Sequence, residues 1–167
     1  MDLILSCGSC CYEKGDYLCC MEELLSDEYF MRIALQEAKQ AYNEDEVPIG
    51  AVIVANGVVI AKGHNQVEKL NDVTAHAEMM AFTAAADSLG GKYLKNCTLY
   101  VTLELCPMCA GAAFWTQITR IVYGAADPKR GYQRFEEAML HPGTEVKTGV
   151  LEEECAELIK NYFREKR

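Results

Sequence analysis

Three observations predict an α/β domain in three layers, with a mixed sheet of about five strands and helices on both faces. A helical apolar repeat opens at Ser26, two β-branched runs flank an Asn-Gly turn, and from Thr74 onward helices and strands alternate. Alternation requires crossover connections and therefore parallel pairing, whereas an Asn-Gly turn requires an antiparallel hairpin, so the sheet has to be mixed.

The elements follow in order. Phe30, Ile33, Ala34, Ala38 and Ala41 recur at helical spacing behind a Ser26 cap and an acidic first turn, Asp27-Glu28. Ile49 to Val54 and Val58 to Lys62 read as strands joined by Asn56-Gly57, a pair suited to the two positive-φ positions of a type I′ turn. Ala75 to Leu89 is a helix ending at Gly90-Gly91. Thr98 to Leu103 is a strand, Pro107 starts a helix that runs to about Gln117, and Arg120 to Gly124 is the next strand. Glu136 to Leu140 and Val150 to Arg167 are the remaining helical segments.

At 167 residues the chain is the length of one domain, able to bury roughly 70% of its unfolded surface without a metal or disulfide to hold it together. A metal here would therefore serve chemistry. No apolar run approaches about 18 residues, which excludes a membrane-spanning helix. The net charge of -9 is unevenly spread: residues 1–60 carry 11 acidic and 3 basic side chains, residues 61–167 carry 14 and 13. The near-neutral remainder leaves room for a local basic patch and argues against extensive, sequence-blind phosphate binding. Nine cysteines fit no simple pairing framework, and the start of the chain lacks the basic and apolar regions of a secretory signal, so a reducing, cytoplasmic location is expected. Five of the nine, Cys7, Cys10, Cys11, Cys19 and Cys20, lie in the first 20 residues. With no histidine nearby, residues 1–25 read as a flexible Cys-rich extension rather than a second metal site, which leaves 26–167 as the functional domain.

Two short segments carry the chemistry: Thr74-Ala75-His76-Ala77-Glu78-Met79 and Glu104-Leu105-Cys106-Pro107-Met108-Cys109. Each falls where a loop enters a helix. One imidazole and two thiolates, His76, Cys106 and Cys109, suit one zinc ion with a fourth position left open, the arrangement of catalytic rather than structural zinc. Both cysteines fall in a first helical turn, where free N–H groups and the positive end of the dipole favour thiolates. Glu78, two residues beyond His76, is badly placed to bind the same ion but well placed beside its water, as the carboxylate that takes and returns protons. A lone C-x-x-C also suits a structural half-site or a redox pair, and a lone H-x-E arises by chance. Together at two helix starts they favour a catalytic centre. His64 and His141 read as surface or loop histidines.

These two segments resemble the H-x-E and C-x-x-C signature of the zinc-dependent cytidine deaminase superfamily. Val47-Pro48-Ile49-Gly50-Ala51, Gly63-His64-Asn65, Gly124 to Gly131 and Tyr162 to Arg167 extend the likeness over residues 28–167, and within the superfamily the chain resembles the bacterial tRNA-specific adenosine deaminases. The resemblance implies the cytidine deaminase-like fold, one zinc per chain, and hydrolytic deamination of adenosine to inosine at the wobble position of the tRNA anticodon, by zinc-activated hydroxide attacking C6 with Glu78 as proton shuttle. It implies that Asn65 bonds the substrate nucleoside and that Asp127 lies near the neighbouring sugar, although both also fit as ordinary turn residues. Lys129, Arg130 and Arg164, with Lys166 and Arg167, become candidates for phosphates of the anticodon stem-loop. The resemblance further implies a homodimer, with Ala112, Ala113, Phe114 and Trp115 as its contact. The alternatives are a deaminase of a free base or nucleotide (guanine, cytosine or CMP), and a noncatalytic zinc-containing RNA-binding subunit. One position departs from the signature: Leu105 stands where the superfamily has proline before the first ligand cysteine. Leucine leaves the ligand spacing intact but removes a restraint on the turn, so retained zinc with reduced activity is expected.

Overall fold

The computed structural model describes residues 26–135 and 138–167. Helix α1 (Asp27–Asn43) starts where Ser26 accepts a hydrogen bond from the Tyr29 N–H. Strands β1 (Gly50–Ala55) and β2 (Val58–His64) form the hairpin, with Asn56 and Gly57 both at positive φ, 51° and 75°. A short α2 (Val67–Leu70) precedes α3 (Ala77–Leu89), which stops at left-handed Gly90. Then come β3 (Cys97–Leu103), α4 (Pro107–Thr116), β4 (Arg120–Ala125), a 3-10 turn (Tyr132–Arg134), β5 (Glu145–Thr148) and α5 (Glu152–Glu165).

The five strands lie in the order β2-β1-β3-β4-β5, antiparallel from β2 to β3 and parallel from β3 to β5. The mixed sheet therefore stands as expected. Strand alternation divides its side chains between two cores. Ala51, Ile53, Leu99, Val101, Ile121 and Tyr123 face α3 and α4, whereas Val52, Val54, Tyr100 and Val122 face α1 and α5. Both faces being buried, these strands read as continuous β-branched runs rather than as alternating ones.

Three differences from the sequence reading have local causes. Strand β5 was not anticipated: Glu145-Val146-Lys147-Thr148 is a four-residue edge strand, exposed except for Val146, and carries almost no apolar signal. Helix α2 is a single turn with no buried residue, too short to show a period. The expected helix at 136–140 fails where it is described, since Ala138 to Leu140 are irregular; Glu136 and Glu137 lie outside the described residues. Pro142 and Gly143 close behind leave that acidic segment little room to propagate a helix.

Asp27 ties α1 to the far side of the sheet. It accepts from both Arg120 Nη atoms (2.7 and 3.0 Å), the Tyr100 hydroxyl (2.9 Å) and Lys147 Nζ (2.7 Å). The guanidinium holds its carboxyl well below the usual carboxylate range, ahead of the opposing effect of burial. A depressed folded value means that the stabilisation is complete above the unfolded value of about 4 and disappears as pH falls through the folded one. Asp27→Asn should therefore lower stability by about 2 kcal/mol at neutral pH, and urea midpoints measured from pH 7 down to 2 should fall less steeply in the variant than in the parent.

Candidate active site

Strand register gathers the functional loops along one edge of the sheet. Gly50 pairs with His64 and Ala51 with Val101, and Leu103 pairs with Ala125. The segments entering β1 and leaving β2, β3 and β4 thus all emerge on the same side, at the carboxyl ends of the parallel strands where α/β sheets place their ligands. α3 crosses this edge against β2 with no side chain between them: a Cβ on Gly63 would stand 2.5 Å from the Ala77 carbonyl oxygen. The Gln66 N–H also donates to the Ala75 carbonyl (3.0 Å). Asn65 is thereby held next to the turn that presents His76.

His76 and Cys106 are the N-cap residues of α3 and α4, and Cys109 lies in the first turn of α4. His76 Nδ1 is 3.6 Å from each sulfur. A tetrahedral zinc with bonds of about 2.0 Å to nitrogen and about 2.3 Å to sulfur requires a separation of about 3.5 Å, so the donor atoms are already placed as one coordination sphere. Among the described residues this is the single His/Cys/acid trio whose ligand atoms all lie within 4.8 Å. The charges also call for a cation. In the protein alone a hydrogen bond from Cys109 holds the Cys106 thiol down to about 4, with burial opposing it and His76 assisting. That same hydrogen bond to Cys106, reinforced by burial, drives the Cys109 thiol sharply upward. Two thiolates so close repel, and a divalent ion between them allows both to ionise.

Glu78 sits two residues past His76, in the first turn of α3, and is 3% exposed. Burial raises its carboxyl to about 7. Its Oε2 is the one fully buried side-chain polar atom among the described residues that lacks a protein partner. Leaving such an atom unpaired costs stability unless a ligand takes it up, and beside a metal trio that ligand is water or substrate.

The other expected site residues divide. Asn65 is buried, and its Nδ2 donates to Glu46 Oε2 (2.9 Å). Asp127 caps its own loop, its Oδ1 accepting from the Lys129 and Arg130 N–H groups (2.9 and 3.0 Å). The turn role expected of it is thus the one observed. Lys129 and Arg130 are exposed on that loop. Arg164, exposed on the last turn of α5, donates to Asn161. Lys166 pairs with Asp45, which occupies it. His64 departs from its expected place, being buried between the Glu37 and Glu44 carboxylates (3.4 and 3.5 Å). His141 is the loop residue expected, stacked near Phe114.

Two functional-edge residues escaped the sequence reading. Glu104 is buried and accepts from the Asp127 N–H (2.9 Å) and the Gln133 N–H (3.0 Å), and Gly131 packs on it so closely that a Cβ would lie 2.2 Å from its carboxyl. Glu46 is the second. Glu104 opens the second motif segment but, like Glu46, has no role set by spacing: Glu104 takes two backbone N–H groups, and Glu46 one backbone N–H and one side-chain amide, all far along the chain. A buried acid in a short loop before or after a strand is the only trace they leave. Leu105 is fully buried in the core, and its carbonyl accepts from the Tyr132 N–H (2.9 Å), so packing restrains the turn where proline would have done so by geometry.

A three-layer α/β/α fold with this trio and a buried carboxylate beside it defines the zinc-dependent deaminase class. The model for the cytidine and deoxycytidylate deaminase zinc-binding region matches residues 25–125. The chain belongs to that family and, within it, to the tRNA-specific adenosine deaminases. It is 46% identical over 144 residues to the tRNA-specific adenosine deaminase of Agrobacterium fabrum, covering 83% of this chain and 95% of the relative. A solved structure from work on A-to-I editing by tRNA deaminases at the wobble position of transfer RNA superposes with a TM-score of 0.73 at 46% identity, covering 78% of this chain and 98% of that one. The guanine deaminase of Bacillus subtilis is 41% identical, with a TM-score of 0.58 over 60% of this chain and 65% of its own.

Cys109→Ser should abolish stoichiometric zinc in elemental analysis. Leu105→Pro should keep one zinc per chain and instead lower the thermal midpoint, because the loss falls on core packing.

Proposed function

We propose that this protein deaminates adenosine to inosine at the wobble position of a tRNA anticodon, with residues 26–167 as the deaminase domain and residues 1–25 appended to it. The observation that carries the reading is the unpartnered Glu78 oxygen beside three preplaced metal donors. A purely structural zinc, as in a noncatalytic RNA-binding subunit, has no use for a buried base at its side. His76, Cys106 and Cys109 hold the ion, which when bound supplies the Lewis acidity that makes water nucleophilic at neutral pH.

The remaining work falls to the chain's own groups. Glu78, buried beside the metal donors, accepts a proton from water, passes it to the purine ring nitrogen, and assists departure of the amine as ammonia. Water adds its oxygen at C6 as the C6–N bond breaks, so adenosine and water give inosine and ammonia. Asn65 holds the nucleoside, and Asp127 lies toward the neighbouring sugar. Lys129, Arg130 and Arg164 meet phosphates of the anticodon stem-loop. The names and coverage of the relatives support a tRNA substrate over a free base. A tRNA substrate and cysteines without a pairing framework fit a cytoplasmic location, and no described helix is long and apolar enough to cross a membrane.

The expected outcome is inosine in tRNA carrying a wobble adenosine, with free guanine, cytosine and CMP untouched. Glu78→Gln should lower turnover by at least about 100-fold while keeping its zinc. Turnover of a free base with unaltered tRNA would overturn the assignment.

The protein is further proposed to act as a homodimer through α4. Trp115 is 77% exposed and shares a helical face with half-buried Met108 and Ala112, while Ala113 points into the core. Trp115→Glu should convert a dimer to a monomer in sedimentation velocity.

A further inference from the structure

We infer that Glu46 is a positioning residue for the deamination site, orienting the Asn65 amide and fastening the segment that follows it. The inference rests on the reading above in which Asn65 holds the substrate nucleoside. Glu46 is 1% exposed, in the short connection between α1 and β1. Both of its oxygens act as acceptors: Oε2 takes the Asn65 Nδ2 hydrogen (2.9 Å) and Oε1 takes the Lys69 backbone N–H (2.8 Å). Among the described residues no cation is ion-paired with it: Lys69 Nζ goes to Glu44 and Lys166 Nζ to Asp45. An acid buried among neutral donors costs desolvation that a purely structural position could avoid with an amide or an apolar side chain.

A carboxylate does here what glutamine cannot. Having no donor, it compels Asn65 to turn its NH2 inward and its carbonyl oxygen outward, which removes the ambiguity between the two ends of an amide. The Asn65 N–H meanwhile donates to the Ile49 carbonyl (3.1 Å), so backbone and side chain are both fixed. The Lys69 contact then binds α2 to the same carboxylate, and the Gln66 N–H to Ala75 carbonyl bond joins that segment to the His76 turn. One side chain thereby sets the orientation of a substrate contact and its distance from the metal ligands. The turn that carries it is itself clamped. Asp45, at φ 66°, receives the Tyr162 hydroxyl on its carbonyl (2.9 Å) and Lys166 on its carboxylate.

The test is a double-mutant cycle in kcat/KM on tRNA, with zinc content and thermal midpoint measured on each variant. Glu46→Gln offers one acceptor where two are needed, so kcat/KM should fall at least tenfold with zinc unchanged, and the Asn65 side-chain NH2 resonances should move in the amide NMR spectrum. Glu46→Asp keeps the charge but draws it back by one methylene, and should fall in the same direction. In the Asn65→Ala background Glu46→Gln should have less than a twofold further effect, because there is no amide left to orient. Equal losses in both backgrounds would mean general structural damage and overturn the inference. So would an unchanged Asn65 resonance, or full activity in Glu46→Gln when Asn65→Ala is impaired. Wild-type activity in Asn65→Ala would instead overturn the substrate role of Asn65 itself.

Discussion

Everything at the functional edge depends on placing one ring nitrogen 3.6 Å from each of two sulfurs. Two helix N-termini must approach each other over the sheet for this to happen, and small residues make it possible. Ala77, Ala81 and Ala85 line the buried side of α3, and Ala110 and Ala113 that of α4. Gly63 then lets β2 touch α3 backbone to backbone. Larger side chains would lift either helix from the sheet, and a displacement of one ångström is already a large part of a metal–ligand bond. The same proximity that suits zinc makes a second thiolate unfavourable until a positive charge is present.

Three buried carboxylates border this centre and divide the labour by their partners. Glu46 and Glu104 accept main-chain and amide hydrogens at both oxygens, and each closes a loop whose ends are distant in sequence. Glu78 keeps one oxygen unpaired. Saturated acids rigidify, because every donor they satisfy would otherwise be a buried orphan. The unsaturated acid keeps an oxygen free for a partner that the described residues do not supply. The positions of Asn65 and Asp127 follow from the first two, so the rigid pair defines the space in which the third operates.

Much of this was legible in the sequence. The three candidate metal donors and the carboxylate beside them stand in two fixed-spacing motifs because short helical segments impose the geometry, and His76, Glu78, Cys106 and Cys109 could be singled out from spacing and residue chemistry. The hairpin and the parallel β3–β4 pair were equally clear, since Asn56-Gly57 and the β-branched runs act locally. Strand β5 escaped because an edge strand of four residues takes its stability from pairing with β4 and not from burial. Glu46 and Glu104 escaped because their meaning lies in partners 19 to 29 residues away. The burial of His64 escaped for a related reason: its place between two carboxylates of α1 exists only once β2 and the end of α1 are brought together.

Under the proposed function, an acidic protein has to hold a polyanion, and the distribution of charge shows how. Helix α5 begins with Glu152, Glu153 and Glu154, whereas at its far end Arg164, Lys166 and Arg167 outnumber Glu165, so negative charge gathers at one end and a net positive charge at the other. The acidic end lies against α1, where Glu154 meets Arg32, and the basic end lies against the Asp45 turn that leads to Glu46 and Asn65. With Lys166 engaged by Asp45, the other exposed cations of these segments are Lys129, Arg130 and Arg134 around one loop and Arg164 and Arg167 at the end of α5. So small a set neutralises at most about five phosphates, which limits sequence-blind binding at physiological salt. Selectivity must then come from the pocket, which can admit a nucleoside only when its base is unstacked in a single-stranded loop. An acidic body with a small cationic rim is thus suited to releasing nucleic acid that offers no such base.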